Sequence, residues 1–159
     1  MSRSGYSDDL SETELNLYRG AVESAIRGKR GQAFLRELLA DMDAMPVKEL
    51  IVGRLENAGA YCALGVVGHA RGLPLQALDS DEEDDGYSNA PLARAFGVAK
   101  ALVAEIEFVN DECGWTHTET PAERWSRMRA WVVEHITETR AERWSRMLAW
   151  VVEQIKEPT

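Results

Sequence analysis

The last third of the chain contains one segment written twice, and this repeat constrains the fold more than any other feature. Residues 118–136 read TETPAERWSRMRAWVVEHI, and residues 137–155 read TETRAERWSRMLAWVVEQI. So close a match at a period of 19 residues indicates the tandem duplication of one supersecondary unit. The copies differ at only three positions, which are Pro121/Arg140, Arg129/Leu148 and His135/Gln154.

Each copy predicts an amphipathic helix that begins with a capping box. In the first copy Thr120 can cap the helix, Pro121 suits its first turn, and Glu123 is the third helical residue. Apolar residues then recur at helical spacing and form one stripe, with Trp131 at its edge. The stripes are Trp125, Met128, Val132 and Ile136 in the first copy, and Trp144, Met147, Val151 and Ile155 in the second.

The link between the copies admits two arrangements. Arg140 replaces Pro121, so a single continuous helix is chemically permitted. However, 19 residues at 100° each would leave the two stripes about 100° apart around a single helix. Two helices joined by a turn at 137–139 allow both stripes to be buried, and we favour that arrangement.

The second copy has a wider apolar face than the first, because Leu148 replaces Arg129 beside the stripe. An apolar face of this kind left in water favours aggregation, so we expect it to be covered by its own domain or by a second chain. A packed interface is favoured over a ligand pocket. The residues predicted to form an oligomer interface are Trp144, Met147, Leu148, Val151 and Ile155.

The remainder of the chain predicts a mainly α fold with about five to seven helices. A capping box at Ser11 and Glu14 starts a helix over about 12–27, and a second helix ends before Pro46. Two apolar runs between 50 and 63 flank an Asn/Gly turn and predict a short β-hairpin. We expect a helical core domain over 1–117, with the duplicated segment 118–159 packed on it or on a second chain.

The chain carries a net charge of −9, and most of this charge is local. One register of the acidic run imitates the start of a calcium loop, but Leu92 stands where that loop requires a bidentate Glu. A solvated loop or a contact with a basic partner is therefore the better interpretation. The run consists of Asp79, Asp81, Glu82, Glu83, Asp84 and Asp85, without which the net charge would be −3.

Residues 92–106 have the spacing of a helix-turn-helix, with Gly97 at the turn. The would-be recognition helix offers Lys100 against Glu105 and Glu107, which is a poor set of donors for phosphates and bases. The basic residues at 27–36 could contact an anion, but a solvated turn that balances nearby acids is favoured. DNA binding therefore remains the alternative function and not the first.

No catalytic or metal-binding framework is predicted. Cys62 lies in an apolar segment and is interpreted as a small buried hydrophobe. Cys113 and His117 have the spacing of half a zinc site, but no second pair stands at finger-like spacing. We predict no enzyme activity and no cofactor, while an enzyme using one of the two cysteines remains a third hypothesis. The absence of an apolar leader and of any long apolar run leads us to expect neither export nor a membrane span.

Four stretches of the chain resemble, in the same order, a family of small uncharacterised proteins of tailed phages and prophages. They are RGAVESAIRGKRGQAFLRELLADMDAMP, YCALGVVGHARG, AFGVAKALVAEIEFVNDE and ETPAERWSRMRAWVVEHI. The resemblance covers about residues 1–136, and similar members typically end after a single copy of the C-terminal helix. It brings no established activity or site residues.

The resemblance implies the cytoplasm of an infected bacterium and an accessory role such as countering host defence. We therefore expect a phage accessory protein that binds and inhibits a host protein with a basic surface. An anti-CRISPR-type antagonist acting through its acidic surface is one form of this hypothesis.

Overall fold

The mainly α fold is confirmed in the computed structural model, which describes residue 4 and residues 9–79, 89–113 and 118–156. Within these ranges the chain forms eight helices and one two-stranded antiparallel sheet. In chain order the elements are α1 (Glu12–Arg27), α2 (Lys29–Ala44), β1 (Glu56–Asn57), β2 (Ala60–Tyr61), α3 (Ala63–Ala70), α4 (Leu75–Leu78), α5 (Ala90–Phe96), α6 (Lys100–Asp111), α7 (Pro121–His135) and α8 (Arg140–Lys156).

The first two helices have the predicted bounds because their ends are set by local chemistry. The Ser11 hydroxyl accepts the backbone N–H of Glu14, and the Glu14 carboxylate accepts that of Ser11, so the capping box is complete. Gly28 ends α1 and also caps the start of α2. Helix α2 stops at Ala44, two residues before Pro46.

The predicted hairpin exists but is shorter than the sequence suggested. Glu56 pairs with Tyr61 and Asn57 with Ala60, and the turn uses Gly59 at a φ of 79°. The apolar residues before it are not a strand. Instead, Leu50 donates its backbone N–H to the carbonyl of Pro121 at 3.0 Å, which ties this segment to the start of α7.

The core lies between α2, α3, α6 and α7. Helix α3 is buried from Ala63 to Gly68, a fully apolar stretch that the sequence could not assign clearly. The largest fully buried side chains are Phe34, Leu35, Leu38, Met42, Leu50, Leu55, Leu64, Leu92, Leu102, Ile106, Met128 and Val67.

Two glycines allow α3 to approach its neighbours closely. A Cβ at Gly65 would lie 1.8 Å from the carbonyl oxygen of Leu55, and one at Gly68 would lie 2.4 Å from Cδ2 of Leu75. Glycine has a low helix propensity, so its presence twice in one short helix reflects packing and not local preference.

The two copies of the repeat form two separate helices, as predicted. Helix α7 ends at His135, residues 136–139 are not helical, and α8 begins at Arg140. The predicted stripe of α7 faces the core: Met128 and Val132 are buried, and Trp125 is half-buried. By contrast, every described residue of α8 is exposed, so its own domain does not cover it.

Candidate interaction surfaces

Helix α8 presents a continuous apolar face to solvent. The exposed fractions of its large apolar side chains range from 40% for Val151 to 76% for Ile155, with Trp144 at 71%. In α7 the corresponding residues of the stripe, Trp125, Met128 and Val132, are buried or half-buried, and of its large apolar side chains only Val133 is exposed, at 47%. An unpaired apolar face of this length is a typical mark of an interaction site. All five predicted interface residues, which are Trp144, Met147, Leu148, Val151 and Ile155, lie on this exposed helix.

The apolar face of α8 has the spacing of a coiled-coil seam. Ala141, Trp144, Leu148, Val151 and Ile155 follow one another at alternating steps of three and four residues. In α7 the same seam is interrupted, because Arg129 stands at the position of Leu148. The single change from Arg to Leu therefore completes a seam that the first copy lacks.

The start of α8 is held in place by charge and by capping. Thr139 and Glu142 form the predicted capping box. The backbone N–H of Thr139 and the Arg36 guanidinium, which donates to the carboxylate at 2.9 Å, together lower the pKa of Glu142 to about 2. Arg36 also donates to the carbonyl of Thr137 at 2.8 Å, so α2 anchors the turn between the two copies.

Helix α7 is held by polar groups that the sequence did not reveal. Arg124 is only 4% exposed and donates to the carbonyl of Leu50 at 2.9 Å. Arg127 is half-buried and ion-paired with Glu119 at 2.6 Å. The guanidinium of Arg127 holds the pKa of the Glu119 carboxyl below its usual value. A helical wheel assigns faces by hydropathy, so it could not show that two arginines of this helix reach buried carbonyls.

A second polar cluster joins the irregular segment 50–55 to α6. The side-chain oxygen of Asn110 accepts the N–H of Ala63 at 3.1 Å, and its amide donates to the carbonyl of Ile51 at 2.9 Å. Asn110 is 2% exposed. From the last turn of α6 it therefore satisfies backbone groups of two neighbouring segments.

Most of the predicted acidic surface falls outside the described residues. Of its six members, only Asp79 is described; it is half-buried and accepts the N–H of Leu55 at 3.0 Å. Asp79 therefore helps to fix the chain beside the hairpin. The members outside the described residues are Asp81, Glu82, Glu83, Asp84 and Asp85.

The helix-turn-helix-like segment forms a helical corner whose second helix is largely buried. Gly97 makes the predicted turn with a φ of 71°. Most of α6 faces the core, including Glu107 at 2% exposure. A recognition helix has to enter a groove and must be exposed, so this burial weighs against DNA reading by α6.

The basic residues at 27–36 lie among acidic partners. Arg27 and Glu23 are 3.7 Å apart, and Arg36 is paired with Glu142. This arrangement agrees with a solvated turn that balances nearby acids.

Within the described part of the chain, neither cysteine is joined by a group of His, Cys, Asp or Glu side chains that could hold a metal ion. Cys62 is buried at 3% exposure, and its Sγ accepts the N–H of Gly65 at 3.4 Å. Cys113 is half-buried, and His117 lies outside the described residues. Among the described residues, no group of three His, Cys, Asp or Glu side chains could hold a metal ion.

One open cavity of about 400 Å³ lies between α1, α6 and the end of α7. Its lining includes Arg19, Glu23, Glu105 and His135. Burial raises the pKa of the Glu105 carboxyl. Its described lining combines charges of both signs and contains no Ser, Thr, Cys or Lys.

Comparisons of the chain with protein-family models, with curated proteins and with solved structures give no match. Within the ranges described, no helix has both the length and the apolar character needed to cross a membrane.

Proposed function

We propose that this protein is a non-enzymatic binding protein that pairs with a second copy through α8. The observation that carries the proposal is the exposed seam of α8, which the change from Arg129 to Leu148 completes. The charged residues of α8 lie away from the seam, so two copies can meet without opposing like charges. Helix pairing through this seam would remove its apolar side chains from water.

The gain from apolar burial in such a dimer and the cost of association are of similar size. Ten partly exposed apolar side chains, five from each copy, would gain roughly 10–15 kcal/mol when they are buried. Association costs about 4–15 kcal/mol in lost translational and rotational freedom. Since the two ranges overlap, we expect a reversible equilibrium in which monomer is present at low protein concentration.

Replacing Leu148 by Arg restores the residue of the first copy and tests this pairing. Because each dimer would lose two central Leu side chains and gain two charges in the seam, we expect the dissociation constant to rise about a hundredfold or more. Light scattering after size exclusion, over a range of concentrations, measures the mass. Ala149→Arg places the same charge on the polar side of α8 and should leave the mass unchanged. Equal masses for wild type and Leu148→Arg at every concentration would refute pairing through this seam.

We further propose that the dimer is a phage accessory protein that binds and inhibits a host protein with a basic surface, for example as an anti-CRISPR-type antagonist. The support comes from the resemblance of residues 1–136 to phage proteins and from the acidic run over 79–85. Six acids within seven residues could imitate the phosphates of a nucleic acid toward a basic groove. Localisation in the cytoplasm of the infected host belongs to the same proposal.

Neutralising the acidic run tests this binding mode. A variant with Asn or Gln at Asp81, Glu82, Asp84 and Asp85 should retain less than about a tenth of the partner captured from host lysate at low salt. A control variant loses the same amount of negative charge at four exposed acids elsewhere, namely Glu12, Glu49, Glu134 and Glu153. Undiminished capture by the first variant would rule out the acidic surface as the contact.

A further inference from the structure

We propose that the surface that binds α7 is also a binding site for α8 of the same chain, so that the two copies can exchange places on the core. The α7 site is defined by groups of Gln32, Met42, Asp43, Leu50 and Val109 that contact α7. The proposal rests on the match between these contacts and the residues of α8.

The hydrogen bonds at the start of α7 are all available to α8. The indole N–H of Trp125 donates to the carbonyl of Met42 at 3.3 Å, and Arg124 donates to the carbonyl of Leu50. Trp144 and Arg143 are the same residue types at the same positions of the second copy. The N–H of Leu50 binds a backbone carbonyl of α7, which any residue, including Arg140, can supply.

The ion pair that supports the start of α7 already exists in α8. Arg127 and Glu119 are 2.6 Å apart in the first copy, and Arg146 and Glu138 are 2.7 Å apart in the second. The capping boxes are likewise the same. Helix α8 is therefore already folded in the conformation that the site binds, and little ordering would accompany its docking.

The apolar and C-terminal contacts also have counterparts. Met147 and Val151 match the buried Met128 and Val132. At the far end, Gln32 donates to the carbonyl of His135 and accepts the N–H of Thr137. Both are backbone groups, and the residues 19 positions later, Gln154 and Lys156, carry the same groups.

The contacts that would be lost are exposed. They are the hydrogen bond from the Thr137 hydroxyl to Gln32 at 3.0 Å, because Lys156 has no hydroxyl, and two ion pairs. Arg129 and Asp43 form a bridge whose side chains are 40% and 43% exposed, and Arg36 and Glu142 form one at 37% and 49%. Exposed bridges of this kind contribute little to stability.

Binding of α8 at the α7 site would bury Leu148, and this burial favours the exchange. When α8 occupies the site, the apolar face left in water is that of α7, which is narrower because it carries Arg129. The exchange also lengthens the connection before the bound helix by 19 residues, and the entropic cost of a longer loop grows only with the logarithm of its length. The core and a second copy would then compete for α8, so occupation of the α7 site by α8 removes the dimer seam.

Cross-linking in the full-length chain tests the exchange. Asp43→Cys is combined with Leu148→Cys in one variant and with Arg129→Cys in a control, both with Cys113→Ser. The control reports the arrangement in which α7 is bound, since Asp43 and Arg129 are in contact. With a short bismaleimide the first variant should form an intramolecular cross-link, identified by monomer mass and by peptide mapping. A first variant that stays uncross-linked while the control reacts fully would overturn the proposal, and so would a product found only as a covalent dimer.

Alanine substitutions at the two matched methionines provide a second, independent measurement. If α8 can replace α7, Met128→Ala alone should cost little, Met147→Ala alone should cost little, and the double variant should melt roughly 5–15 °C below either one. The measurements are made at a concentration where light scattering shows monomer, which separates this result from the dimer proposal. A Tm for Met128→Ala as low as that of the double variant would overturn the exchange.

Discussion

Alanine at Gly65 is expected to destabilise the fold by about 3 kcal/mol or more, with a fall in Tm of roughly 6–12 °C. The added methyl group would stand 1.8 Å from the carbonyl oxygen of Leu55 and 2.8 Å from its carbonyl carbon. These are backbone atoms, so no side-chain rotation can relieve the clash. The connection before β1 and helix α3 would have to separate, and both contribute fully buried side chains to the core.

Alanine at Gly68 and at Gly20 should have different effects on stability, because an added methyl group has different surroundings at these positions. At Gly68 the nearest atom is Cδ2 of the Leu75 side chain at 2.4 Å, which can rotate away in part, so Ala should cost less there than at Gly65. At Gly20 nothing lies within 4 Å of the added methyl group, and Ala in this helix interior should raise stability by about 1 kcal/mol. Denaturant unfolding of the three variants measures the order. A Gly65→Ala variant as stable as the wild type would mean that α3 does not pack on Leu55 in this way.

Local signals in the sequence predicted much of the fold correctly. The capping boxes at Ser11, Thr120 and Thr139 each start a helix, and Gly97 makes the predicted turn. These features depend on groups within a few residues of one another, and a sequence displays such groups directly. The stripe of α7 was predicted for the same reason, since helical spacing places its residues on one face.

Features that depend on distant groups could not be predicted. The buried Arg124 donates a hydrogen bond to the carbonyl of Leu50, which lies 74 residues earlier in the chain. No local pattern in the sequence indicates so distant a partner. The first six residues of α3, Ala63 to Gly68, are all apolar and all buried, so this part of the helix has no hydrophobic periodicity. For α8 the sequence predicted an apolar face that is covered, but it left open by what. The structure excludes the chain's own described core in the present arrangement and leaves the second copy as a proposal.

The acidic run shows a different limit. Its composition is obvious in the sequence, yet composition alone cannot separate a solvated loop from a binding surface. Asp79 is the only member whose surroundings are described, and it accepts the N–H of Leu55. The capture assay on the neutralised variant tests whether the acidic run contacts a partner.

In a background with Met147→Ala, which weakens binding of α8 at the α7 site, replacing Glu119 by Gln should lower the free energy of unfolding by about 3 kcal/mol, whereas the same change at Glu138 should have almost no effect. Glu119 is 13% exposed and pairs with Arg127 at 2.6 Å and with Arg124 at 3.4 Å. Without its carboxylate the guanidinium of Arg124, whose side chain is 5% exposed, would be left buried beside a neutral amide. Glu138 holds the corresponding position in the second copy, but it lies on a solvated helix and its arginines stay hydrated.

The loss of stability in acid provides a second test of the ion pair between Glu119 and Arg127. Hydrogen bonding by Arg127 lowers the pKa of Glu119 in the folded state below the unfolded value of 4.5. This carboxylate therefore stabilises the fold above about pH 4.5, and the contribution is lost as the pH falls below that value through the folded pKa. In the same Met147→Ala background, denaturant unfolding between pH 7 and pH 3 should show a shallower acid loss of stability for Glu119→Gln than for the parent protein, with Glu138→Gln following the parent. Parallel curves for all three proteins would mean that Glu119 does not support the docked α7, and equal destabilisation by both substitutions would mean that the two copies are held in equivalent surroundings.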